Sequence, residues 1–464
     1  MAYVKITDLN FAQTLTGNEV IPVVQAGTSY QLPVSSIKGG LLIDPRSSVQ
    51  GYCSTIVSGT SSRVDGNRSA IIGGYQNFTT GDNSTVIAGS GNDINSNYSG
   101  NLIVGGFNHE ISGTPLTGCA AFGGYFRCDP QHNSILGGSN SSIKDGQFNG
   151  ILNASNSLID GVMPNHNSII ASFSGVIETH SGGTLGNGNV IIGGSNSSIT
   201  SGGCIPSGSP HPTHTDADKV ITHTSIIGGQ SNHITGSSNS AIIGGLSNCI
   251  IKTDKAAGSE GNNIIMGGVS HSLSGRCNNA IVGGSCNSIL SGNDAAGMLG
   301  GFRNEIGNKA SDKFFFGPTV ENIIIGGRCN RTHLASTVIG GNSNYSAGYR
   351  STVVGGCKNC ITICGFDAAG TYKDNGFATS QHSTVVGGLS NTITTSAAFI
   401  AGGLGNTIQI GHDHSAIIGT GITSVSGCML HANTLFLSAA ALPTTDPGQP
   451  GVVWRDGTDL KISI

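Results

Sequence analysis

A short phrase, two apolar residues followed by two glycines, recurs along most of the chain and limits the available folds more than any other feature. SAIIGG ends at Gly74, NLIVGG at Gly106, NSILGG at Gly138 and NVIIGG at Gly194. It returns as SAIIGG ending at Gly245, NAIVGG at Gly284, STVIGG at Gly341 and STVVGG at Gly356 and Gly388. With degenerate copies such as STVIAG (to Gly89), CAAFGG (to Gly124) and NSIIAS (to Ser172), 20 slots can be read between positions 58 and 419. Of the 19 intervals, 14 are 14 to 18 residues long, and five longer ones of 22, 35, 23, 26 and 32 residues mark insertions. Three further positions keep register with the glycines. Ser or Asn precedes the first Gly by four residues (Ser69, Ser240, Asn279, Ser351). Asn follows the second by three (Asn77, Asn248, Asn304, Asn359), and Ile or Leu follows it by five (Ile111, Ile250, Leu273, Ile361).

A coil of about 15 residues is too short for a helix plus a strand, and β-branched residues beside Gly disfavour helix. It suits one turn of a parallel β-solenoid with two short strands, the Ile-Ile-Gly-Gly segment and the Asn-x-Ile segment, joined by two tight turns. Gly supplies the turn dihedrals and lets backbones approach closely. Asn tolerates the left-handed conformation and can bond to its counterpart in the next coil. Twenty such coils would make a rod of about 95 Å. Successive strand side chains face opposite ways, so in Ile71-Ile72, Ile242-Ile243 and Val353-Val354 one residue enters the core and the next faces out. An outward apolar stripe of that length is rarely left bare on a monomer. We therefore expect rods of the same chain to pack together, as a homotrimer or, as the alternative, a dimer.

Composition fits this reading. Of 464 residues, 74 are Gly, 5% are aromatic and 10% charged, too few large side chains to fill several globular cores. Hydrophobic residues at 37% are too many for a disordered chain, and 13 Pro without a strict third-residue Gly exclude collagen. The net charge of −4 gives no electrostatic footprint for nucleic acid or an anionic membrane. MAYVKITDLN has no apolar core of a secretory signal, and no apolar run approaches a membrane span. We expect the twelve Cys to be reduced thiols rather than a disulfide framework.

The pattern Ser/Asn-x-apolar-apolar-Gly-Gly-x-x-Asn-x-Ile resembles the coil of trimeric adhesin heads, and Tyr345 to Gly356, YSAGYRSTVVGG, is the nearest stretch. That resemblance implies a left-handed parallel β-roll, a form also found in bacteriophage fibres. The N-terminal stretch resembles the attachment segment of phage fibre proteins through Ile6, Leu9, Leu15, Gly17, Glu19, Pro22, Val23, Val24, Gln25 and Gly27. The C-terminal stretch resembles a cap of phage structural proteins through Pro443, Asp446, Pro447, Gly448 and Trp454. Bottom-up, Val20–Val24 and Tyr30–Val34 read as a strand pair, and Asp456-Gly457 between two apolar segments reads as a tight turn. The resemblance thus implies a segment 1–45 that attaches to the virion, a repeat shaft 46–425 and a cap 426–464.

Insertions are where a repeat protein differs from its neighbours. His211, His214, Phe314, Tyr372, Lys373 and Phe377 lie in them and are candidates for contact with a host glycan or protein. His211, His214, Asp216 and Asp218 are chemically able to hold a metal but match no known spacing, and the same is true of His412-Asp413-His414. Cys357, Cys360 and Cys364 look like half a zinc site, yet the first two fall on ordinary repeat positions, which favours small packed thiols. We expect no cofactor and no metal. A polysaccharide-cleaving tailspike would need two carboxylates about 5–9 Å apart. The acidic residues between Asp44 and Asp413 read as scattered, with only Asp216 and Asp218 at one level, and no threonine ladder of an ice-binding face is apparent. The expectation is a non-enzymatic virion fibre, made in the host cytoplasm, with a depolymerase or a capsid decoration fibre as alternatives.

Overall fold

The computed structural model describes the chain except for residues 1–19, 26–27, 34–45, 97–99, 114–119, 123–125, 129–132, 145–147, 161–165, 180–183, 186–187, 202–219, 222, 252–260, 275–276, 291–292, 308–318, 334, 363–380, 435–441, 451 and 464. It is all-β among the described residues, a parallel β-solenoid, and no helix is long and apolar enough to cross a membrane. The chain divides into two compact units, Met1–Gly283 and Gly284–Ile464. Each is built on the same coil.

Residues 69–83 show why the sequence closes into that coil. Ser69 is buried; Ala70–Ile72 forms the first strand; Gly73 and Gly74 turn the chain with φ of 76° and 87°. Gln76 (φ 53°) completes the corner, Asn77 is buried, and Phe78–Thr79 forms the second strand. Asn83 (φ 49°) closes the other corner before the next buried serine, Ser84. Strands of only two or three residues persist because each hydrogen-bonds to the coils before and after it. Ala70 N donates to Ser84 O at 2.9 Å, and Gly73 N donates to Val57 O at 2.6 Å.

The two strands stack into two parallel ladders in each unit. In the first unit Ala70–Ile72 pairs with Thr55–Val57 and Thr85–Ile87, and Phe78–Thr79 pairs with Arg63–Val64 and Asp93–Ser96. In the second unit Thr352–Val354 pairs with Thr337–Ile339 and Thr384–Val386, and that ladder runs on to Leu430–Ala432. The core is correspondingly thin. It consists of about one residue from most strands, such as Ile71, Val86 and Ile103 of the first ladder and Ile94 and Ile111 of the second, all at 0% exposure. β-Branched side chains fill this narrow space, which leaves no room for aromatics.

Buried polar residues line both corners of the core. The carboxamide oxygen of Asn77 accepts from Asn92 N at 3.1 Å, and that of Asn92 accepts from His109 N at 3.0 Å. The expected stack of Asn is therefore present: most rungs are joined from backbone N–H to side-chain oxygen, and some also amide to amide, as Asn279 Nδ2 donates to Asn263 Oδ1 at 3.0 Å and Asn391 Nδ2 to Asn359 Oδ1 at 3.1 Å. Other amide nitrogens reach glycine carbonyls, as Asn232 Nδ2 does to Gly228 O and Gly244 O, both at 3.2 Å. At the other corner Ser84 N donates to Ser69 Oγ at 3.0 Å, and Ser69 Oγ donates to Gly81 O at 2.6 Å.

Outside the ladders, Val20–Gln25 pairs antiparallel with Thr28–Pro33, and Val453–Asp456 with Asp459–Ile462.

Candidate functional site

The outward face of the first ladder is the most uniform surface of each unit. Beside each buried residue stands an outward apolar one: Ile72, Ile192, Ile227, Ile243 and Met266 in the first unit, and Leu299, Ile325, Ile339, Val386 and Ile418 in the second. Ile71 is 0% exposed and Ile72 is 42% exposed, so alternation across one strand decides which is core and which is surface. Preceding them is a column of mostly small residues, such as Thr55, Ala70 and Thr85, interrupted by Leu102, Ile264, Ile323 and Phe399. Following them is the bare Gly-Gly track, then a bridged column containing Tyr75 and Phe107 in the first unit. Tyr75 is 46% and Phe107 59% exposed.

This register also stacks Thr337, Thr352 and Thr384. The sequence spacing hid that three-rung threonine ladder because an insertion separates Thr352 from Thr384.

The corner after Gly-Gly differs between the units. In the first unit the described residues in its two columns are uncharged, for example Tyr75-Gln76, Phe107-Asn108 and Leu246-Ser247. In the second, consecutive rungs carry Phe302-Arg303, Arg328-Cys329, Asn342-Ser343 and Cys357-Lys358. The guanidinium carbons of Arg303 and Arg328 lie 5.0 and 5.5 Å from the centroid of the Phe302 ring. Arg303, Arg328 and Lys358 are exposed, and no carboxylate among the described residues pairs with them. Nearby Arg331 is instead engaged by Glu305 at 3.1 Å and lies 5.6 Å from the Tyr345 ring centre.

On the second ladder Asp93 and Glu110 are register partners. The expectation that acidic residues fall at one level only at Asp216 and Asp218 is corrected by this pair. Both stand immediately before the buried Ile of their coil, which was the available signal. Burial, and secondarily the charge of Glu110, pushes the Asp93 carboxyl up to about 6. The neighbouring His109 is buried in the Asn column, and burial lowers it to about 4.

Of the residues expected to attach to the virion, Pro22, Val23, Val24 and Gln25 lie in the strand Val20–Gln25, while Ile6, Leu9, Leu15, Gly17, Glu19 and Gly27 lie outside the described residues. The loop candidates His211, His214, Phe314, Tyr372, Lys373 and Phe377 also lie outside them, as do Asp216, Asp218 and Cys364. The C-terminal residues come together. Asp446 accepts from Gly448 N at 2.9 Å and Ser463 Oγ at 2.5 Å, which holds its carboxyl below the usual range, Ser463 contributing most. Pro443 O accepts from Arg455 N at 2.9 Å, and the Lys461 ammonium lies 5.4 Å from the Trp454 ring centre.

His412 Nδ1 lies 2.6 Å from Ser424 Oγ. Asp413 accepts instead from Thr395 Oγ1 and from Ser396 N at 2.9 Å. The adjacent side chains thus serve separate turns, and no group of three His, Cys, Asp or Glu converges among the described residues. Cys357 bridges between Asn342 and Leu389, and Cys360 pairs in register with Tyr345 and Thr392. Burial pushes the Cys360 thiol up to about 11, so it stays protonated at neutral pH. No protein-family model matches this chain, and no curated protein matches its sequence.

Proposed function

We propose that this chain is a non-enzymatic structural fibre of a bacteriophage virion, a homotrimer attached through its N-terminal segment and meeting the host surface through loops and corners of the solenoid. The observation that carries the reading is the outward apolar column, repeated among the described residues from Ile72 to Met266 and from Leu299 to Ile418, beside mostly small residues and bare glycines. Water penalises such a face, and copies of the same chain are the partner whose rungs match its spacing. The resemblance of both chain ends to phage fibre segments supports the virion assignment. Several weak contacts in three copies would supply avidity at the host surface.

Light scattering on the full-length chain tests this. A particle of three chain masses is expected, and a monomer at micromolar concentration would overturn it.

The Asp93–Glu110 pair favours a second reading, a polysaccharide depolymerase, because a raised carboxyl beside another carboxylate is the arrangement of glycosidases. Incubation with capsular and lipopolysaccharide substrates separates the readings. Shortening of the polymer by the wild-type chain, abolished in Asp93→Asn, would establish the enzyme.

A further inference from the structure

We propose that the Gly-Gly corner of the second unit is a binding site for an acidic glycan, held by Arg303, Arg328 and Lys358; the identification of this surface as host-facing rests on the fibre reading above. Within the repeat they occupy the two columns of one corner, Arg328 in the bridged column of Phe302 and Arg303 and Lys358 in the next, positive-φ column, and in the first unit the described counterparts in both columns are uncharged. The fold therefore does not require a cation there. The three charges fall within four consecutive rungs, a strip about 14 Å long at the usual strand spacing. Among the described residues none of the three has a carboxylate partner, in a chain whose net charge is −4.

Phe302 draws two like charges to one ring, an arrangement that costs repulsion unless an anion bridges them. Guanidinium groups bind carboxylates in two-point fashion, with charge-assisted hydrogen bonds stronger than neutral ones. Between the cations, the exposed Asn342 and Ser343 offer amide and hydroxyl groups of the kind that pair with sugar hydroxyls; Ser343 Oγ donates to Asn342 Oδ1 at 3.2 Å. A nucleic acid fits less well. Arg303 and Arg328 flank the one aromatic ring on this strip, so bases find no free stacking platform.

The test measures binding of the full-length protein to polygalacturonate and hyaluronan, with methyl-esterified polygalacturonate and single-stranded DNA as comparisons. Expected are binding to a carboxylated glycan that weakens as salt rises, little binding to the ester, and a loss of about tenfold or more in the triple variant Arg303→Gln, Arg328→Gln, Lys358→Gln. Arg350→Gln, a cation at the opposite corner, should bind as wild type. The triple variant's melting temperature should be unchanged, since none of the three side chains is buried. Absence of binding to both acidic glycans, equal binding of the ester, preference for DNA, or full binding by the triple variant would each overturn the site. Light scattering on the same samples keeps the two ideas apart. A trimer that ignores acidic glycans loses this site and keeps the fibre; a monomer that binds them loses the fibre and keeps the site.

Discussion

At the scale of single residues, the two glycines of each slot are not equivalent. A Cβ on Gly245 would lie 2.3 Å from Asn248 Nδ2 and 2.4 Å from Gly268 O, inside the polar corner. A Cβ on Gly244 would meet nothing within 4 Å. Both have positive φ, 69° and 83°, so both pay for a side chain in the left-handed region, but only the second also collides. The chain reflects this: Ala88 occupies a first slot at φ 59° with Gly89 kept in the second, and Ala154 and Ser172 fill second slots only in coils where Ser157 and Gly175 replace the corner Asn. Gly244→Ala should cost about 1 kcal/mol and Gly245→Ala about 3 kcal/mol, the difference being overpacking. Urea midpoints of the two variants check this, and equal losses would mean that the corner relaxes. Repetition marked both glycines alike; only the placement of the next coil's carbonyl tells them apart.

At the scale of the element, a rung inherits the chemistry of the rungs stacked on it. Asp93 and His109 are neighbours in this sense, with Asp93 N donating to His109 O at 2.7 Å, and their titrations act in opposite directions. His109 is lowered from 6.5 to about 4. Its neutral form is the one the fold accepts, so its contribution is present above pH 6.5 and lost as pH falls through about 4. Asp93 is raised from 3.8 to about 6, so its contribution is present below 3.8 and lost as pH rises through about 6. Between these limits the two partly cancel. Asp93→Asn should therefore make stability fall more steeply on acidification from pH 6.5 to 4, whereas His109→Asn should make it fall less or rise. Melting temperatures across that range decide it, and parallel curves for both variants would refute the assignment. The carboxylate pair is legible only when counted from the glycines, since Asp93 and Glu110 each follow the second Gly of their slot, Gly89 and Gly106, by four residues.

For the molecule as a whole, the outward apolar column is the property that local folding leaves unsatisfied. If it is the contact between copies, placing charge in it should dissociate the assembly without unfolding the coil. Ile227→Lys with Ile243→Lys puts two ammonium groups on adjacent rungs of a face whose described residues there are uncharged. We expect monomers with an unchanged β-sheet circular dichroism spectrum. An assembly that survives both substitutions would place the contact elsewhere.

Much of the coil was determined by the sequence alone, because a repeat solves the same local problem many times. Gly-Gly, the buried Ser and Asn, and the alternating Ile pair each name a turn, a corner or a core position, and the strands formed where those positions predicted. What only the tertiary structure decided is which residues of different coils meet. Insertions of unequal length erase constant spacing, so the stacking of Thr352 on Thr384 and of Arg328 on Phe302 exists only once backbone hydrogen bonds have set each rung against the next. A ladder reads register, not distance along the chain.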